Sequence, residues 1–211
     1  MQRVASDLVA LVARLAAPRT AWFGYSLGGR VALNIAVQHP EAVTALVLLG
    51  ASPGIADSAA RAARVKDDEA LASRIERDGI AWFVAGWERL PLFASQAQLS
   101  EARRTAQRTQ RLMSVPRGLG QSLRGMGAGA QPPLQDQLAT LAVPALLLAG
   151  AEDEKYRLIA AAMADAIPGA VHAIIDGAGH AAHLEQPASV AVATDTFLSQ
   201  FPLPQSPLNG A

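Results

Sequence analysis

One pentapeptide, Gly24-Tyr25-Ser26-Leu27-Gly28, constrains the fold of this chain more than any other stretch. It lies between an apolar run with strand character, Thr20 to Phe23, and a run with helical spacing, Arg30 to His39. A serine on the tight turn between a parallel strand and the helix that follows forms a nucleophile elbow, which lifts its Oγ out at the carboxyl end of a sheet. The flanking glycines suit that geometry: where strand and helix backbones nearly touch, Gly24 and Gly28 are expected to avoid Cβ clashes. A Gly-rich turn without chemistry fits the same five residues, so the reading rests on the strand and helix on either side. Ser26 is then the first candidate for chemistry.

The rest of the chain supplies a matching framework. Leu8, Leu11, Val12 and Leu15 recur at steps of three and four, the stripe of an amphipathic helix expected to end near Pro18. Three short apolar runs, Ala45 to Leu49, Ala145 to Ala149 and Val171 to Ile175, are bounded by Gly, Pro or Asp and read as buried parallel strands. Helical patterns at Arg30 to His39 and Tyr156 to Ile167 supply the crossovers that parallel strands require, and a last helix is expected at about Ala188 to Gln200. The fold class is α/β, a parallel sheet flanked by helices. Between Pro53 and Pro133 strand signals stop, and Leu71, Ile75 and Ile80 to Val84 fall at helical spacing. Residues 54–133 are therefore expected to form a helical cap, inserted in a core of 1–53 and 134–201 and placed over the strand ends where α/β proteins bind ligands. Trp82, Phe83, Trp87, Leu90, Leu92 and Phe93 form either that cap's own core or a ligand wall. The Pro-rich stretch 202–211 is expected to be disordered.

Composition excludes several function classes. The 211 residues carry no net formal charge, yet 54–133 holds 12 of the 18 Lys and Arg against 8 of the 18 Asp and Glu. That bias points to a small anionic molecule rather than to nucleic acid, which asks for a strongly basic domain. Most of these arginines are expected simply to solvate helix faces. The absence of cysteine leaves no disulfide or thiolate metal site and suits a cytoplasmic protein. Asp7 and Arg14 interrupt the apolar positions of Met1 to Ala17, which reads as neither a signal peptide nor a membrane span. Nothing in the pattern specifies an oligomeric state.

A serine hydroxyl needs a histidine within hydrogen-bond reach and an acid to fix that imidazole's tautomer, and in elbow enzymes the order is serine, acid, histidine. Asp153 lies just beyond the strand Ala145 to Ala149, and His180 follows the strand Val171 to Ile175 in Gly177-Ala178-Gly179-His180. Both are expected at the strand-end face that carries Ser26. His39 and His172 read as structural; His183 competes with His180, and Glu152 and Glu154 compete with Asp153, whose shorter side chain would fix the ring more rigidly. The four histidines show no metal-ligand spacing, so no metal is expected.

Five blocks together resemble one family. Gly24-Tyr25-Ser26-Leu27-Gly28-Gly29-Arg30, Trp87 to Phe93, Ser122 to Pro132, Asp153-Glu154-Lys155-Tyr156 and Gly177-Ala178-Gly179-His180 are similar to the α/β-hydrolase-fold enzymes of menaquinone biosynthesis, the 2-succinyl-6-hydroxy-2,4-cyclohexadiene-1-carboxylate synthases. The resemblance runs over about residues 1 to 200, and the second and third blocks are far more specific than the elbow. It implies a cofactor-free lyase that eliminates pyruvate from a cyclohexene carboxylate, with Ser26, Asp153 and His180 as triad. It also implies an oxyanion donor in the Leu27 N–H and substrate contacts at Tyr25, Arg30, Trp87 and Arg111, with Arg64 as a looser match. Arg30 follows Ser26 by about one helical turn and can face the same pocket. The family begins with further strands and a His-Gly loop that completes the oxyanion hole, and no His-Gly pair precedes Ser26 here. The expectation is a fold lacking those early strands, with Thr20 to Phe23 left as an apolar edge and a native start upstream of Met1. A general serine hydrolase working through an acyl-enzyme is a second reading, and a non-catalytic remnant that binds an anionic ligand or a partner is a third.

Overall fold

The apolar runs that bury both faces become strands, and the mixed runs between them become helices. In a computed structural model, which describes residues 1–15, 17 and 19–201, the order is α1 (Gln2–Arg14), β1 (Thr20–Tyr25), α2 (Leu27–Gln38) and β2 (Val43–Leu49). Then come α3 (Ser58–Trp87), α4 (Glu101–Leu112) and α5 (Pro116–Met126). The chain ends with β3 (Ala145–Gly150), α6 (Glu154–Ala166), β4 (Val171–Ile175), α7 (Ala182–Glu185) and α8 (Pro187–Leu198). The tail expected at 202–211 lies outside the described residues. Two compact units result: Gly54–Pro133 form one, and the chain before and after them forms the other.

The first unit is built on a parallel sheet of order β1-β2-β3-β4. Its register pairs Phe23 with Val47, Leu48 with Leu147 and Leu148 with Ala173, so every strand points its carboxyl end the same way. Consecutive parallel strands need crossovers, and α2 and α6 provide them, packing on β1 and β2 and on β3 and β4 respectively. β2 and β3 lie inside the sheet and are apolar on both faces, as central parallel strands must be. On one face Ala45, Val47, Leu49, Leu146 and Leu148 meet Ile175, with Val190 and Phe197 of α8 closing over them. Among the described residues β1 is an edge, and its Phe23 is 47% exposed.

The second unit is helical. Asp57 caps α3 by accepting from the Ala60 N–H at 2.7 Å, and Ser100 caps α4 by accepting from Arg103. α3 is two helical segments joined at Gly79, whose φ of 85° breaks the helix where a Cβ would be strained. Ile75, Ile80 and Val84 form its small core, flanked by Leu71, Trp82, Phe83, Leu119 and Leu123. The aromatic cluster is divided: Trp82 and Phe83 pack on that core, while Trp87 stacks between Phe83 and Phe93, with centroids 5.2 Å from each.

Candidate active site

Ser26, Asp153 and His180 follow the carboxyl ends of β1, β3 and β4 in the first unit. At the end of β1 the chain turns within one residue into α2, and Ser26 sits on that turn with φ 49° and ψ −109°. It is the only non-glycine residue with positive φ among those described, a conformation that sterics disfavour and that surrounding contacts must impose. The Ser26 N–H donates to Leu49 O at 2.9 Å, which ties the turn to the end of β2. A Cβ at Gly24 would lie 2.5 Å from Gly28 O, and one at Gly29 would lie 2.6 Å from the Ala51 Cβ. A Cβ at Gly28 would meet nothing within 4 Å. The expectation for Gly28 is therefore corrected: the close approach runs from Gly24 to the backbone of residues 28 and 29, and Gly29, pressed on Ala51, is the second obligatory glycine.

His180 arrives from the loop after β4. Its Nε2 accepts from Ser26 Oγ at 3.0 Å, and its Nδ1 donates to Asp153 Oδ2 at 2.6 Å. The ring is 2% exposed and Asp153 7%, so this chain of hydrogen bonds is shielded except at the serine. Asp153 is oriented in turn by α6, where its Oδ1 accepts from the Tyr156 N–H at 3.3 Å as the helix cap. Glu152 and Glu154 flank it without reaching the ring; the Glu152 backbone N–H donates to Ala178 O. Glycines let the histidine loop come this close. A Cβ at Gly50, where φ is 57°, would lie 3.0 Å from the imidazole Cε1, and one at Gly150 would overlap the carbonyl oxygens of Ala178 and Gly179.

Tyr25, the last residue of β1, lays its ring against His180 and His183 at 5.2 and 4.3 Å, and Tyr156 approaches His180 from α6 at 4.5 Å. Burial holds His183 below the usual histidine range, with a smaller push from His180 against an opposing pull from Glu185. Its buried Nδ1 has no hydrogen-bond partner among the described residues. His39 shares a hydrogen bond with Ser6 Oγ at 3.0 Å, and His172 lies in β4. Leu27 opens α2, so its N–H falls outside that helix's own hydrogen-bond ladder. Arg30, one turn on, is half-buried, and its N–H donates to Ser26 O.

The other three named residues belong to the second unit. Arg64 donates from Nε to Asp68 at 2.7 Å. Arg111 on α4 donates to Glu88 at 3.2 Å, to Gln96 at 3.3 Å and to Gln107 at 3.1 Å, and Arg108 also grips Glu88. Arg111 and its partners, but not Arg64, border a cavity of about 620 Å³ in this unit, lined by Glu88, Phe93, Gln96, Arg104, Arg108 and Arg111. Tyr156, Glu185, Glu88 and Asp68 are partners that sequence reading did not single out. Only Asp68, four residues after Arg64 on one helix, left a local signal. Among the described residues no group of three or more His, Asp or Glu side chains could hold a metal ion, and no helix is long and apolar enough to cross a membrane.

Comparison with known proteins adds a family to this geometry. The family model described as alpha/beta hydrolase fold matches residues 1–187. A Bacillus subtilis (strain 168) protein provisionally named a 2-succinyl-6-hydroxy-2,4-cyclohexadiene-1-carboxylate synthase is 40% identical over 197 residues, covering 93% of this chain and 72% of that protein. A Serratia proteamaculans (strain 568) protein of the same name is 36% identical over 176 residues, covering 83% of this chain and 66% of its own length. Among solved structures, one titled MenH from S. aureus superposes with a TM-score of 0.90 at 35% identity, covering 94% of this chain and 74% of that one.

Proposed function

The chain belongs to the α/β-hydrolase fold family and, within it, to the 2-succinyl-6-hydroxy-2,4-cyclohexadiene-1-carboxylate synthases, and we propose that it is a lyase that uses Ser26, His180 and Asp153 to eliminate pyruvate in menaquinone biosynthesis. The substrate is 2-succinyl-5-enolpyruvyl-6-hydroxy-3-cyclohexene-1-carboxylate. Its product has ring double bonds at C2 and C4, which fixes the electron flow. A proton leaves C2, beside the succinyl ketone; its electron pair forms the C2–C3 double bond, the C3–C4 pair moves to C4–C5, and the C5–O bond breaks. Enolpyruvate departs and, once protonated on carbon, is pyruvate.

The observation that carries this reading is the continuous hydrogen-bond chain from Ser26 Oγ through His180 to Asp153. Ser26 Oγ takes the C2 proton while passing its own to His180 Nε2, and Asp153 stabilises the imidazolium that forms. The imidazolium then returns its proton to the leaving enolpyruvate, which closes the cycle without an acyl-enzyme. Charge that develops on the succinyl carbonyl oxygen is met by the Leu27 N–H. The substrate carries several carboxylates, and arginine forks bind carboxylates in bidentate fashion. Tyr25, Arg30, Arg64, Trp87 and Arg111 are assigned to substrate contact by their match to the family's positions.

The test is pyruvate release from the pathway intermediate by the chain and two variants. Ser26→Ala is expected to lower kcat by roughly 10³-fold or more, as removal of a triad member does. Arg111→Ala is expected to raise KM with a smaller change in kcat. Near-normal kinetics in either variant contradicts the corresponding assignment.

A further inference from the structure

Asp68 is a charged side chain only 3% exposed, and the elimination chemistry makes no use of it. Burying a carboxylate costs several kcal/mol unless it is paired and hydrogen-bonded. Both of its oxygens are engaged: Oδ1 accepts from Arg64 Nε at 2.7 Å, and Oδ2 accepts from the Gly129 backbone N–H at 3.1 Å. The second bond ties α3 to the turn Gly127 to Ala130 that follows α5. A Cβ at Gly127 would fall on Asp68 Oδ2, and one at Gly129 would lie 2.5 Å from the Val65 backbone nitrogen. The glycines of this turn thus leave room for a carboxylate beneath them.

The geometry of the first bond matters for function. Asp68 holds Arg64 by Nε alone, from behind. Among the described residues the two terminal nitrogens of Arg64 have no other partner, and its side chain is 45% exposed. A guanidinium fixed at Nε presents its end-on pair of N–H groups as a ready fork for a carboxylate. Arg111 differs, since its terminal nitrogens already serve Glu88, Gln96 and Gln107.

We propose that Asp68 is a positioning residue that pre-orients the Arg64 fork toward a substrate carboxylate while locking the Gly127–Ala130 turn onto α3. This rests on the reading of Arg64 as a substrate contact. Asp68→Asn keeps an oxygen for the Gly129 N–H but loses the charged hold on Arg64. It raises KM for the pathway intermediate roughly tenfold and leaves kcat within about twofold, because a ready-made fork lowers the cost of binding rather than the barrier to chemistry. In an Arg64→Ala background, Asp68→Asn adds no further rise in KM, since its effect on binding passes through the arginine.

Three results overturn the proposal, and they are distinguishable. An equal rise in KM from Asp68→Asn in both backgrounds shows that it acts without Arg64. An unchanged KM in Asp68→Asn beside a raised KM in Arg64→Ala leaves the arginine's role intact and removes the aspartate's. An unchanged KM in Arg64→Ala removes the contact itself. A fourth measurement needs neither turnover nor a folded Asp68 variant. In the unaltered protein the Arg64 Nε–H, identified by NMR through its loss in Arg64→Ala, exchanges slowly and resonates apart from the other arginines. Rapid exchange at the averaged position contradicts the proposal.

Discussion

Ser26 is held in a strained backbone conformation by what surrounds it, and the glycines around the elbow divide into those that permit the turn and one that does not matter to it. Gly24 and Gly29 face backbone and the Ala51 methyl at distances no real Cβ tolerates, while the Cβ side of Gly28 is open. Gly29→Ala is therefore expected to lower the melting temperature by several degrees or to prevent folding, as overpacking typically costs 1–3 kcal/mol or more. Gly28→Ala is expected to be neutral or stabilising by up to about 1 kcal/mol, because alanine is favoured over glycine within a helix. Equal losses in thermal melts of the two variants would contradict this division. The five-residue motif in the sequence does not separate these glycines. It reveals that a turn is tight, while a Cβ at Gly24 would collide with the backbone of residues 28 and 29 and one at Gly29 with Ala51, which the chain brings back beside the elbow after β2.

At the scale of elements, α3 and α5 are joined by charge as well as by the Ile75 core. Arg124 makes a two-point contact with Glu69, at 2.8 and 2.9 Å, and reaches Glu76 at 2.6 Å. A Cβ at Gly120 would lie 2.5 Å from Glu76 Oε1, so the glycine face of α5 is what admits these carboxylates. Hydrogen bonds from Arg124 first, and from Ser73 second, pull the Glu69 carboxyl from its ordinary 4.5 down to about 2, and Glu76 is lowered by the same arginine. A depressed carboxyl contributes stability above the unfolded value of 4.5 and loses it as pH falls toward about 2. Arg124→Ala is thus expected to lower the melting temperature modestly at pH 7 in low salt. That difference should shrink below about pH 4.5 and fade in 1 M salt, since exposed pairs are screened. A deficit independent of pH and salt would mean that Arg124 acts through packing. The sequence showed the helices and their arginine excess, but not which arginines are paired. Glu69 and Arg124 are distant along the chain, and only the packing of α3 on α5 brings them together.

For the whole molecule, the fold was legible because four apolar runs of strand length alternate with helical patterns, and parallel pairing allows few other arrangements. Boundaries moved slightly: β1 continues to Tyr25, α2 begins at Leu27, and β2 begins at Val43. Hydrogen bonding at strand ends, rather than apolar character, decides these limits. At the candidate site, chain order and loop position pointed to Ser26, Asp153 and His180, yet composition left Glu152, Glu154 and His183 as rivals. The rivals separate only in three dimensions, where the cap of α6 turns Asp153 toward the His180 imidazole and Ser26 Oγ meets His180 Nε2 rather than His183. The same hydrogen-bond chain serves hydrolases that form acyl-enzymes, and the likeness to the 2-succinyl-6-hydroxy-2,4-cyclohexadiene-1-carboxylate synthases is what favours a base over a nucleophile. Pre-steady-state kinetics tests that reading. With the pathway intermediate, the account predicts pyruvate released in equal amount to the cyclohexadiene, with turnover lost in Ser26→Ala and no acyl-enzyme burst when a p-nitrophenyl ester is offered. A Ser26-dependent burst from the ester, with no pyruvate from the intermediate, would contradict it.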